Sequence, residues 1–414
     1  MTGTVHVLGA GLAGLAAALS LSKAGRRVVI HEAARQAGGR CRSYHDAVLD
    51  REIDNGNHLM MSANDSVFGF LDECGSRARM GVIEPAAYPF VDVTTGERWT
   101  VRPNRGPVPW WILTPIRTVK GARLRDFLQG WRLLTAGPEK TVADCLTPGT
   151  VLWNRFWEPL TIGALNCAPD EGAATLLAEV YRRTFAKGER ASRPVHVKQS
   201  LADALIDPAL ALLEKRGVSF RFGARVRELQ RDGARLSVFQ TTRETVKLGK
   251  LDGVVSALPA WAIPELLPEI DAPVGARMIL NLHYLPERMP ELPPVTGLTG
   301  SVAQWLFIKG DVASVTVSAA DAFAETSADE IAARIWPEIA VALGTPDAPQ
   351  PLCRVVKEKR ATFLETPANE KRRPGPVTPW TNLTIAGDWT ATGLPATIEG
   401  AIQSGRVAAK ALGA

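Results

Sequence analysis

Near the start of the chain, Gly9-Ala10-Gly11-Leu12-Ala13-Gly14 sets three glycines where a phosphate group can meet bare backbone. Gly9 permits a tight turn, Gly11 leaves room for a pyrophosphate, and Gly14 lets a helix pack closely on a strand. Glu32 follows 18 residues after Gly14, and its carboxylate can accept hydrogen bonds from ribose hydroxyls. This is chemistry for holding a dinucleotide. Other reactive groups lie further on. Gly38-Gly39-Arg40 adds a cation beside the glycines, and Asp54-Asn55-Gly56-Asn57-His58 carries a histidine suited to moving protons. Near the far end, Leu383-Thr384-Ile385-Ala386-Gly387-Asp388 runs a strand into a Gly-Asp turn, and Glu399 follows as a second candidate acid. No metal site is expected, because the five cysteines are scattered and form no CxxC pair.

Elements of regular structure must position these groups. Residues 4–8 read as a buried strand, 12–24 as a helix of small residues, and 27–31 as a second strand. Such a βαβ unit demands a parallel sheet and points the helix N-terminus at the ligand's phosphates. Further on, residues 200–216 and 328–343 pattern as helices. Strands are expected at 218–222, 234–240, 252–257, 278–284 and within 301–318, and residues 151–186 read as helical. The Pro-, Arg- and Lys-rich stretch 367–380 reads as a linker or surface loop. A strand at 383–386 and a helix over 396–412 close the chain.

The 414 residues, 46% hydrophobic and 22% charged, suit a soluble globular protein of two or three compact units. The net charge of +5 is not gathered into a block or a zinc or helix-turn-helix pattern, so nucleic acid is not an expected partner. No run reaches the roughly 18 apolar residues of a spanning helix. The apolar stretch from Val7 to Leu21 lacks a basic flank and is interrupted by glycines, so it reads as structure rather than a leader. Widely spaced, unpaired cysteines suit a reducing cytoplasm.

With Gly38-Gly39-Arg40 and the closing segment, the sequence resembles the FAD-dependent amine oxidase and phytoene desaturase superfamily. The resemblance implies an α/β fold: a Rossmann-like FAD-binding domain of the glutathione-reductase type with an inserted α+β substrate domain. The expected division gives 1–75, 195–265 and 378–414 to FAD, and 76–194 and 266–377 to substrate. By resemblance, Gly9, Gly11, Ala13 and Gly14 cradle the pyrophosphate with Gly39 and Arg40, while Glu32 and Ala33 meet the ribose. Val226 contacts adenine through its backbone, and Gly56 and Asn57 pass close to the flavin ring. Gly387 and Asp388 meet the ribityl or pyrophosphate portion, and Thr397 and Ile398 face the pyrimidine edge. A helix N-terminus placed there stabilises an anionic reduced flavin. No suitably placed cysteine or histidine follows Cys353, so the FAD is expected to be non-covalent.

Within that superfamily, Asn104-Arg105-Gly106-Pro107-Val108-Pro109-Trp110-Trp111, Trp157-Glu158-Pro159-Leu160 and Thr392-Gly393-Leu394-Pro395-Ala396-Thr397-Ile398-Glu399-Gly400-Ala401 look like one subgroup. It is the squalene-associated FAD-dependent desaturases, which act as hydroxysqualene dehydroxylases in bacterial squalene and hopanoid synthesis. The resemblance implies reductive loss of a hydroxyl from hydroxysqualene, with electrons from an unidentified reductant and with His58 or Glu399 as candidate acid. A polyene desaturase running in the opposite redox direction, and an amine oxidase, remain alternatives. A long isoprenoid substrate implies weak peripheral association of a cytoplasmic protein with the inner face of the cytoplasmic membrane. The segment from Gly106 to Trp131 offers the means, with Trp110 and Trp111 beside Ile112 and Leu113, then Arg117, Lys120, Arg123 and Arg125.

Overall fold

In the computed structural model, which describes residues 3–414, strand β1 (Thr4–Leu8), helix α1 (Leu12–Lys23) and strand β2 (Arg27–Glu32) form the expected unit. β1 lies at the centre of a five-stranded parallel sheet. On one side come β2 and Ser219–Phe222; on the other come Gly253–Ser256 and Leu383–Ile385. Such a sheet needs cover on both faces. α1 is accordingly buried almost all round, from Leu12 through Leu19 and again at Leu21. Its small side chains admit the closing helix, Ile398–Ala411, so closely that a Cβ on Gly405 would lie 2.1 Å from the Ala13 carbonyl oxygen.

A second sheet carries seven strands. Their spatial order is Leu352–Thr362, Arg277–Leu285, Val312–Val317, Trp305–Lys309, Val295–Thr299, Tyr88–Asp92 and Arg98–Val101. It is antiparallel except where Val295–Thr299 pairs with Tyr88–Asp92. Helix Ala328–Leu343 covers one face with Ile331, Ile335, Trp336 and Ile339. Beyond Arg98–Val101 a helical layer packs around Trp111, Trp153, Phe156 and Trp157. The fold is thus α/β with an α+β second part.

Several expectations needed correction. The helical reading of 151–186 is broken at Asn166, whose φ of 49° ends helix Glu158–Leu165 before Ala174–Arg183 begins. The eleven-residue strand Leu352–Thr362 escaped notice, because the unbroken charged run Lys357-Glu358-Lys359-Arg360 masks the strand period. The stretch 367–380 is no surface loop throughout. Arg373 is buried there, donating to the carbonyls of Asp388, Thr390 and Leu394 and to the Thr392 hydroxyl.

Two buried histidines are expected to make the fold sensitive to acid. His31, on β2, contacts His6 at 3.1 Å, and burial, helped by His6 and Arg221, pushes it down to about 4. His283 is likewise pushed down to about 4, by burial and then by Lys309. Both are neutral when folded, so their contribution is present above the unfolded value of 6.5 and lost as pH falls toward 4. Each is worth on the order of 3 kcal/mol. Urea midpoints are expected to fall steeply between pH 7 and pH 4.5, and less steeply in His283→Gln; equal midpoints at the two pH values would refute this.

Candidate flavin site

The N-terminal glycines divide cleanly by what surrounds them. Gly9 has φ +109°, which glycine alone adopts readily, and a Cβ on Gly14 would meet the Gly9 carbonyl oxygen at 1.9 Å. Around Gly11 the position of a Cβ is open, with no atom within 4 Å. The Gly38 amide donates to the Ala10 carbonyl at 2.9 Å and Gly38 bridges Gly11, which sets Gly39 so close that a Cβ on it would lie 3.5 Å from Gly11 Cα. Gly11 also caps α1 with no side-chain acceptor and no acid in the first turn. The helix therefore presents uncapped N–H groups to an open, glycine-walled space.

Glu32 lies at the rim of this space, accepting from the amides of Ala10 (2.7 Å) and Ala34 (2.8 Å). Ala33 beside it is exposed. The Ala224 amide donates to the Glu32 carbonyl, which brings Val226 alongside as the first residue of strand Val226–Asp232. The two distant motifs meet at Arg40. Its guanidinium donates to Asp388 Oδ1 and to the Ala361 carbonyl, each at 2.6 Å. Gly387 precedes Asp388 with φ +149° and donates to Ser404 Oγ of the closing helix. Thr397 caps that helix by accepting from the Gly400 amide, and Ile398 is buried at its first turn.

The Asp54–His58 loop is tied onto the seven-stranded sheet. Asn57 accepts from Ser314 Oγ and donates to Thr316 Oγ1, while Asn281 bonds both the Asn57 amide and the Asn55 carbonyl. A Cβ on Gly56 would sit 3.5 Å from Asn281 Nδ2. Asp54 is buried in an ion pair with Lys309 and accepts from Ser43 and the Leu201 amide. His58 packs 3.9 Å from the Cys41 sulfur. Burial drives it down to about 4, with Lys309 and Arg40 assisting against Asp54.

Neither candidate acid from the sequence is suited to that work. His58 is neutral at pH 7. Glu399 faces away from this cluster: its two carboxylate oxygens accept from the Ser66 and Val67 amides, capping helix Asp65–Cys74. The structure brings in a group the sequence reading missed. Glu365 is buried, accepts from the Ala396 amide at 2.6 Å, and leaves Oε2 without a partner. Burial holds its carboxyl well above the usual range, against the Ala396 amide and Arg373. Burial thus favours its protonated form.

A family model for flavin containing amine oxidoreductases matches residues 12–288 and 293–413. A hydroxysqualene dehydroxylase of Zymomonas mobilis subsp. mobilis is 41% identical across 98% of this chain and 97% of its own length. The chain belongs to the hydroxysqualene dehydroxylases, within the flavin-containing amine oxidoreductases. A probable zeta-carotene desaturase of Synechococcus elongatus is 24% identical over 99% of this chain and 98% of its own. Among solved structures, a putrescine oxidase double mutant superposes with a TM-score of 0.72 at 16% identity, covering 99% of this chain and 98% of that one.

As a flavin-containing amine oxidoreductase, the chain is an oxidoreductase, and its residues fit a flavin. The open space at Gly11, the uncapped N–H groups of α1 and the clasp between Arg40 and Asp388 form a cradle that the protein's own atoms do not fill. No local signal could have disclosed Glu365, Lys309 or Asn281. Each reaches the site from a strand or turn read only as sheet or loop.

Proposed function

We propose that the chain removes the hydroxyl of hydroxysqualene reductively, giving squalene, with FAD held non-covalently. Water leaves as the carbon–oxygen bond breaks, and a hydride takes its place on carbon. Reduced flavin, reloaded by a separate donor, supplies that hydride. The observation that carries the reading is Glu365. Breaking the carbon–oxygen bond requires a proton on the departing hydroxyl, and Glu365 Oε2 is buried and unpartnered beside the turn that opens the closing helix, where burial favours the protonated carboxyl. Oxidation of an amine or desaturation of a polyene needs no such donor. Gly9, Gly11, Ala13, Gly14, Gly39 and Arg40 hold the pyrophosphate, Glu32, Ala33 and Val226 the adenosine. Gly387 and Asp388 hold the ribityl chain, and Gly56, Asn57, Thr397 and Ile398 flank the ring. Cys41 adjoins this cradle, but burial pushes its thiol up to about 12, so no thiolate is available to attach the flavin.

Mixing anaerobically reduced protein with hydroxysqualene tests the reading. Flavin absorbance is expected to recover as squalene mass appears, one product per flavin. Recovery without squalene, or conversion of a polyene by the oxidised protein instead, would overturn it. Because the substrate is a long isoprenoid alcohol that partitions into bilayers, we place its collection at the inner surface of the cytoplasmic membrane. Among the described residues no helix is long and apolar enough to cross one.

A further inference from the structure

Sixteen large apolar side chains are exposed among the described residues, and seven of them fall between Val108 and Trp131. So dense a cluster on one short stretch calls for a partner. The same stretch is basic: residues 105–132 hold six Arg or Lys and one acid, Asp126, which is buried. Its charge of +5 (six minus one) equals that of the whole chain.

The face is built, not loose. Asn104 is buried, and its carboxamide accepts from the Trp111 amide at 3.0 Å and donates to the carbonyls of Val108 and Arg105 at 2.9 and 2.7 Å. The loop also packs on Gly188, where a Cβ would strike the Gly106 carbonyl oxygen at 2.2 Å. Turn Trp110–Leu113 and helix Leu124–Phe127 are joined by the rings of Trp111 and Phe127, edge to face at 5.7 Å. Trp111 therefore belongs to the core, 2% exposed, which corrects its expected place beside Trp110 on a lipid-facing surface. With Trp111, Val119 and Leu133 turned inward, the outward set is different: Ile116 (80%), Val108 and Trp131 (71% each), Leu128 (68%) and Leu113 (64%) protrude furthest. Trp110 lies at their margin with the Arg117 guanidinium over its ring at 5.0 Å.

We infer that this face, centred on Ile116, Leu128 and Trp131 and rimmed by Arg105, Arg123 and Arg125, docks the protein on an anionic lipid bilayer. Protruding aliphatic side chains suit the acyl boundary, tryptophan suits the interface, and the arginines meet phosphate headgroups. A second copy of the chain is a poor occupant, because an isologous pairing would set like charges against each other. This docking face deepens the reading of an enzyme that takes a long isoprenoid alcohol, and draws its purpose, though not its physics, from that reading.

Flotation of the full-length, flavin-loaded protein tests it, with phosphatidylcholine vesicles and with vesicles containing phosphatidylglycerol, each at low and high salt. The wild type is expected to float with the anionic vesicles and to weaken in salt. Arg123→Gln with Arg125→Gln should lower vesicle affinity about ten-fold or more at low salt. Ile116→Ser with Leu128→Ser and Trp131→Ser should abolish flotation, yet retain flavin and turn over detergent-dispersed substrate like the wild type. Wild-type protein that stays soluble under all four conditions would overturn the proposal. So would undiminished flotation of the triple-serine variant, or dimerisation through this face without vesicle binding. Flotation as expected from a protein that does not convert hydroxysqualene would leave the docking face standing and remove the proposed reaction alone.

Discussion

Gly11→Val is expected to purify folded but colourless. The backbone at Gly11 has φ −72° and ψ 176°, extended geometry that valine adopts readily, and its Cβ would touch nothing in the protein. Folding is therefore spared, while the space facing Gly39 is filled. Gly14→Val is the contrasting control. Its side chain would collide with the Gly9 carbonyl, so it should lose stability as well as flavin. Wild-type protein should be yellow and release its FAD into the supernatant on acid precipitation. Visible absorbance per polypeptide and a thermal melt read both effects. Stoichiometric flavin in Gly11→Val would show that the phosphates lie elsewhere, and colour that stays with the precipitate would show a covalent bond.

Glu365→Gln is expected to lower kcat by roughly 10²–10⁴-fold, the usual contribution of a positioned acid, with flavin retained and KM little changed. Glutamine keeps an acceptor for the Ala396 amide but has no acidic proton. Wild-type kcat should fall as pH rises through the raised pKa of Glu365, and the variant should lack that limb. Stability supplies a second sign. A carboxyl whose pKa is raised on folding contributes fully below its unfolded pKa, and that contribution is lost as pH rises through the folded one. Wild-type stability should therefore drop toward alkaline pH in a way the variant does not share. Unchanged kcat with an unchanged pH profile would remove Glu365 from the proton path.

The contrast between Gly11 and Glu365 shows what a sequence can disclose. Gly9, Gly11 and Gly14 do their work within one turn and one strand end, so their spacing is the geometry, and Glu32 follows at the end of the next strand. Arg40 and Asp388 are 348 residues apart; the resemblance gave each a part in holding the cofactor, and only the fold joins them to one another. Glu365 has no pattern around it. Its character comes from burial against Ala396 and Arg373, which no local window contains. Composition misled at Arg373, where a basic, proline-rich stretch read as surface although the guanidinium is enclosed by backbone carbonyls that satisfy its donors. It misled again at Trp110 and Trp111, neighbours of one type that the turn sends to opposite sides. Glu399 had a plausible place near a helix start, but the helix it caps is another one.

The order of strands in the nucleotide sheet bears on synthesis. β1 and β2 are made well before the rest of their sheet, which is completed only by Leu383–Ile385, and α1 is covered only when the closing helix settles against Ala13. Until residues 383–411 have been made, the nascent chain carries an apolar helix without its lid and an Arg40 without Asp388. Closure of the glycine-walled cradle therefore waits on residues 383–411, and a polypeptide stopped before residue 383 is expected to be a client for chaperones and proteases rather than a weaker enzyme.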